Sequence, residues 1–168
     1  MIEPLAVKLL EICDRRGITL ATAESCTGGL IAGALTEVPG SSVSFDRGFV
    51  TYSNAAKIDQ LAVEHDAIET YGAVSREVAE QMAIGAITHS DAILAVSVTG
   101  IAGPGGGTAE KPVGLVHLAI AARGEDEVNV VATSRYTFDA ELGRSGIRSA
   151  TVRAALQALA DAAELERP

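Results

Sequence analysis

Residues 92–98 read Ala-Ile-Leu-Ala-Val-Ser-Val, a run with a single hydroxyl and no alternation of polar with apolar positions. A strand of that kind buries both of its faces, so the sheet that holds it must be covered above and below. The stretch before it supplies one such cover. Ser75 precedes Arg76-Glu77 and a stripe of Val78, Met82 and Ala86, which predicts a capped helix over 76–89. Toward the N-terminus, Leu5, Leu9, Ile12 and Cys13 recur at helical spacing up to Gly17. A short strand over 18–23 follows, then the tight turn Ser25-Cys26-Thr27-Gly28-Gly29 and a helix over 30–37 ended by Pro39-Gly40. Residues 45–52 read as a strand, and Ser53-Asn54 as the cap of a short helix through Lys57 and Leu61.

Beyond residue 98 lies a long glycine loop, 99–112. Strands over 113–121 and 128–138 are separated by Arg123-Gly124-Glu125-Asp126, a spacing that makes a hairpin. A last helix carries Val152, Leu156 and Leu159 on one face. The expected order is α-β-α-β-α-α-β-β-β-α. It predicts an α/β fold, a three-layer α/β/α sandwich whose sheet is mixed because of the late hairpin. With 168 residues, no internal repeat and no linker, the chain is expected to be one domain over 1–168.

Composition narrows the function. Thirteen Lys+Arg against 22 Asp+Glu give a net charge of −9, which argues against a partner held by phosphate neutralisation, so no nucleic acid is expected. No apolar run approaches the length of a membrane span, and no membrane association is expected. Cys13 and Cys26 form neither a disulfide framework nor a metal-ligand spacing, and the N-terminus lacks a secretion signal; a cytoplasmic, metal-free protein is the expectation. An apolar hairpin edge or the alanines of the last helix (Ala154, Ala155, Ala158) are candidate surfaces for a homo-oligomer.

Ser25 is the first candidate for chemistry, because it sits where a strand passes through glycines into a helix. Amides at such a turn (Cys26, Thr27, Gly28, Gly29) are available to a developing oxyanion. Equally, Ser25 or Thr27 simply caps the helix. The G-x-S-x-G elbow is absent, and His65, His89 and His117 lie outside any cluster. A serine nucleophile then needs another base, and a desolvated lysine serves; Lys57 is the sole lysine between Lys8 and Lys111. Its alternative is a solvated helix face. Tyr52, five residues earlier, relays a proton, stacks on a ring or packs in its strand. The loop with Gly100 and Gly103 lets amides approach a phosphate or merely connects two strands. Arg144 and Arg148 share a helix face and suit a phosphate or carboxylate, or else solvent.

Several segments together resemble the C-terminal domain family of CinA, which includes the stand-alone nicotinamide-nucleotide amidohydrolases. They are Thr22-Ala23-Glu24-Ser25-Cys26-Thr27-Gly28-Gly29-Leu30, Gly48-Phe49-Val50-Thr51-Tyr52-Ser53-Asn54 with Lys57, Gly72-Ala73-Val74-Ser75, Val98-Thr99-Gly100-Ile101-Ala102-Gly103-Pro104 and Lys111-Pro112-Val113-Gly114. The resemblance implies deamidation of nicotinamide mononucleotide without a cofactor. It implies Ser25 as nucleophile, Lys57 as base acting directly or through Tyr52, and Thr99 lining the site. Arg144, with Arg148 as fallback, would hold the phosphate together with loop amides. Larger members carry a further N-terminal domain, whose activity is expected to be missing here. A nucleotide-binding regulatory module is the competing expectation.

Overall fold

The computed structural model describes residues 1–165, so the last three residues of the expected 1–168 domain lie outside the described part. The elements are α1 (Glu3–Arg16), β1 (Leu20–Glu24), α2 (Leu30–Thr36), β2 (Phe45–Val50), α3 (Asn54–Leu61), α4 (His65–Tyr71), α5 (Arg76–Thr88), β3 (Leu94–Gly100), β4 (Leu115–Arg123), β5 (Val128–Thr137) and α6 (Gly143–Leu165). Single 3₁₀ turns cover Ser41–Val43 and Ala140–Leu142. Local chemistry sets the helix ends. Pro4 opens α1 and left-handed Gly17 (φ 65°) closes it, while the hydroxyls of Ser53 and Ser75 accept from the Ala56 and Val78 amides to start α3 and α5.

The sheet has five strands in the order β2-β1-β3-β4-β5. β1 runs parallel to both β2 and β3, whereas β4 and β5 are antiparallel additions, so the sheet is mixed as the hairpin predicts. Alternate side chains feed two cores. Leu20, Leu94, Val96, Val98, Leu118 and Ile120 pack with α1, α2 and α6 on one face. Ala21, Ala23, Ala95, Ala119 and Ala121 pack with Val78, Met82 and Ala86 of α5 on the other. The small residues on that second face let α5 lie close to the sheet. All three layers of the expected sandwich are present, and residues 94–99 are buried on both sides.

Two differences from the sequence reading have physical causes. Helix α4 was not expected, because its seven residues bury only Ala67 and Ile68 and no side chain caps its start. Strands β3 and β4 begin about two residues later than their apolar runs, since Ala92, Ile93 and Val113 are gathered by turns before the ladder starts. Apolarity reports burial, and pairing starts afterwards. On the outer edge, β5 and α6 flank a depression of about 490 Å³ that includes Val131, Tyr136, Ala154 and Ala158. Ala155 instead points into the core.

The connections determine where a site can form. β1 reaches β2 through α2 on one face, and β2 reaches β3 through α3, α4 and α5 on the other. Along the sheet β1 leads to its neighbour β2 on one side and β3 to its neighbour β4 on the other. The chain therefore leaves the C-terminal ends of β1 and β3 in opposite directions, and such a point of divergence is where open α/β sheets bind ligands.

Candidate active site

Ser25 is the first residue beyond β1. Its amide donates to Val98 O on β3 (3.1 Å), so the turn starts in the cleft between the two strand ends. From the other face α3 sends Lys57 into the same place, with Nζ 3.1 Å from Ser25 Oγ and 2.9 Å from Thr51 O. The lysine is 1% exposed, and no carboxylate is among its hydrogen-bond partners. Burial therefore pulls its pKa down; the neighbouring Cys26 thiol acts in the opposite sense and more weakly. A neutral Nζ that donates to Thr51 O keeps its lone pair for the Ser25 hydroxyl proton. Cys26 is no rival nucleophile, since burial first of all pushes its thiol up to about 11.

A residue that sequence reasoning left without a role organises the turn. Glu24 is wholly buried at the end of β1. Its carboxylate accepts from Thr27 Oγ1 (2.7 Å), Ile31 N (2.8 Å), Ala32 N (2.9 Å) and Thr22 Oγ1 (3.3 Å). The N-terminus of α2 is thus already filled by an acidic side chain of the protein itself. The Gly28 amide is also engaged, closing the turn onto Ser25 O (3.1 Å). Among the described residues, the amides of Cys26, Thr27 and Gly29 meet no backbone acceptor. An acidic residue at the end of a wholly buried strand was the signal that could have found Glu24.

The other candidates divide between this turn and a second cluster. Arg148, half-buried on α6, donates from Nε to Cys26 O (3.1 Å) and from Nη2 to Thr27 O (2.9 Å). Arg144, one helical turn earlier and exposed, donates to Gly103 O (2.8 Å) and to the Tyr52 hydroxyl (2.7 Å). Tyr52 is 60% exposed, and its hydroxyl meets Arg144 rather than Ser25 or Lys57. Thr99, buried at the end of β3, donates to Ala73 O (2.8 Å). Gly100 is needed for close packing, because a Cβ there would stand 2.7 Å from Val116 Cγ2. Lys111, also without a role in the sequence reading, straps the glycine loop to the end of α4 by donating to Tyr71 O (2.6 Å) and Val74 O (2.9 Å).

The three histidines stay apart. His65 begins α4, His89 ends α5, and His117 on β4 has its pKa lowered by burial and then by Arg135 and Lys111. Among the described residues no three His, Cys, Asp or Glu side chains gather in a way that could hold a metal ion, and no helix is long and apolar enough to cross a membrane.

A three-layer α/β domain with a serine and a buried lysine in contact at its strand-end cleft defines a narrow class. The chain belongs to the CinA C-terminal domain family, which matches residues 2–163. It is 49% identical over 140 residues to the nicotinamide-nucleotide amidohydrolase PncC of Enterobacter agglomerans, covering 83% of this chain and 84% of that protein. It is 60% identical over 124 residues to a CinA-like protein of Chlorobium phaeobacteroides, covering 74% of this chain but 29% of the relative's length. Among solved structures, the competence/damage-inducible protein CihA of Agrobacterium tumefaciens superimposes with a TM-score of 0.90 at 55% identity, covering 97% of this chain and 95% of that one.

Proposed function

We propose that this domain hydrolyses the carboxamide of nicotinamide mononucleotide to nicotinate mononucleotide and ammonia. The observation that carries this reading is the 3.1 Å contact between Ser25 Oγ and a buried lysine amine. The likeness to the PncC amidohydrolase over most of both chains supports the substrate class.

In the proposed reaction Ser25 Oγ forms a bond to the carboxamide carbon as its proton passes to Lys57 Nζ. Direct contact makes a relay through Tyr52 unnecessary. Amides of the Cys26–Gly29 turn that remain without a partner receive the oxyanion. The C–N bond then breaks, the lysine's proton goes to the departing amine, and ammonia leaves a nicotinoyl ester on Ser25. Water attacks that ester, giving its proton to Lys57, which returns it to Ser25 as the acyl bond breaks. Lys57 suits both duties because burial lowers its proton affinity. Arg144 keeps N–H donors beyond the two it uses, and we assign it with the 99–106 loop amides to the phosphate. The bound phosphate anchors the nucleotide at a point remote from the reacting carbon.

Ammonia release from the mononucleotide, followed with and without chelator, tests the reading. Ser25→Ala and Lys57→Met each lower turnover by at least about a thousandfold, and chelator changes nothing. Activity within a few-fold of wild type in either variant removes that residue. Tight mononucleotide binding by the wild type with no ammonia released leaves a nucleotide-binding module instead.

A further inference from the structure

The two arginines of α6 lie one helical turn apart and carry the same charge, but the structure gives them different work. Arg144 is exposed and touches two groups from other segments, Gly103 O in the glycine loop and the Tyr52 hydroxyl after β2. Arg148 reaches under the turn, and its guanidinium lies so close that a Cβ on Gly28 would stand 3.5 Å from Nη2. It binds two consecutive carbonyls there, Cys26 O and Thr27 O.

In a trans peptide the C=O and N–H point in opposite directions. The sole cis bond among the described residues is Gly103-Pro104, so both peptides held by Arg148 are trans. Fixing the Cys26 carbonyl on the guanidinium therefore fixes the Thr27 N–H on the opposite side. Fixing the Thr27 carbonyl does the same for the Gly28 N–H, which closes onto Ser25 O. From the far side Glu24 holds the Thr27 hydroxyl at 2.7 Å, so the residue is clamped through its side chain and its carbonyl at once.

We propose that Arg148 is a positioning residue, which sets the peptide planes of the Ser25 turn so that the Thr27 amide is presented to the developing oxyanion, and that it is not a phosphate ligand. This inference rests on the hydrolytic reading above. It divides the two arginines between separate terms of the rate. Arg144 acts in binding the nucleotide. Arg148 acts on the transition state, through backbone it orients but without touching substrate.

The test is a comparison of kcat and KM for nicotinamide mononucleotide in the full chain, with kcat expressed per folded molecule from circular dichroism. Arg148→Gln is expected to lower kcat about a hundredfold with KM held within about threefold, the scale of losing one oxyanion donor. Arg148→Lys, which keeps a donor for one of the two carbonyls, recovers about tenfold of that loss. Arg144→Gln shows the reverse split, with KM raised about tenfold and kcat nearly kept. A tenfold rise in KM with kcat intact in Arg148→Gln overturns the inference and makes Arg148 a phosphate ligand. A lowered melting temperature with kcat per folded molecule unchanged also overturns it, leaving a structural strut. If Ser25→Ala still releases ammonia at the wild-type rate, the hydrolytic reading itself falls and takes this inference with it.

Discussion

Lys57 Nζ meets Ser25 Oγ at 3.1 Å across 32 residues of chain, and the two arrive from opposite sides of the sheet's bifurcation. Ser25 is carried by the strand end itself, Lys57 by the helix that leaves β2 toward the other face. The fold buries the lysine and so lowers its pKa, which is the change that the proposed role as base requires. The contact is therefore a property of the topology as much as of the two residues.

The pH profile follows from that desolvation. Burial lowers the Lys57 pKa from the ordinary 10.5, and the proposed base works only when neutral. The rate of ammonia release should rise with pH along one limb and level off with a midpoint below 10.5. Measuring kcat/KM from pH 6 to about 11 reads this limb of the free enzyme. A midpoint at or above the ordinary lysine value would remove Lys57 as the base.

The same group leaves a mark on stability. A lysine whose folded-state pKa lies below its unfolded value penalises the fold most at low pH, where it is charged in both states. Between the two values the unfolded chain binds a proton that the folded one does not, so stability rises with pH across that window and the penalty is gone above 10.5. Urea titrations at stepped pH should show this slope in the wild type and a flatter one in Lys57→Met. Equal slopes would mean that the amine is solvated.

Glu24 gives a prediction about the turn. Its carboxylate receives two hydroxyls and two backbone amides. A hydroxyl can rotate to accept instead, but an amide cannot. In Glu24→Gln the new NH₂ must face either Ile31 N–H or Ala32 N–H, leaving a buried donor unpaired at a cost of about 2 kcal/mol. For a chain of this size that is roughly 6 °C in Tm. Thermal unfolding followed at 222 nm checks it, and an unchanged Tm would show that the carboxylate does not hold the turn.

How much of this was readable from the sequence depends on the range of the interaction. Periodicity and capping are local, so α5 with its Ser75 cap and the doubly buried β3 were visible in the residues themselves. Helix α4 was not, because it buries too little to leave a stripe. Ser25 and Lys57 were each candidates, but spacing alone could not decide between a solvated lysine and a buried one; that depends on α3 folding over the end of β1. The division between Arg144 and Arg148 was likewise invisible. Four residues apart on one helix face, they look equivalent until the carbonyls that each one meets are known.

Gly85 and Gly33 form a pair of opposite predictions that test whether distant packing sets the site. Both are helical glycines, so alanine at either should gain up to about 1 kcal/mol in helix propensity. Gly33 on α2 is exposed with nothing within 4 Å of an added Cβ, and Gly33→Ala should realise most of that gain. Gly85 on α5 is buried, and its Cβ would run into the Leu61 carbonyl oxygen and lie 2.9 Å from Leu61 Cα. Leu61 ends α3, the helix that carries Lys57, and a backbone neighbour cannot rotate away. Gly85→Ala should therefore lose about 1–3 kcal/mol despite its propensity gain. Any outward movement of α3 that relieves the clash draws Lys57 away from Ser25, so ammonia release per folded molecule should fall as well. Urea midpoints and turnover measured on both variants decide the matter: a Gly85→Ala protein as stable and as active as wild type would show that α3 adjusts without moving its lysine.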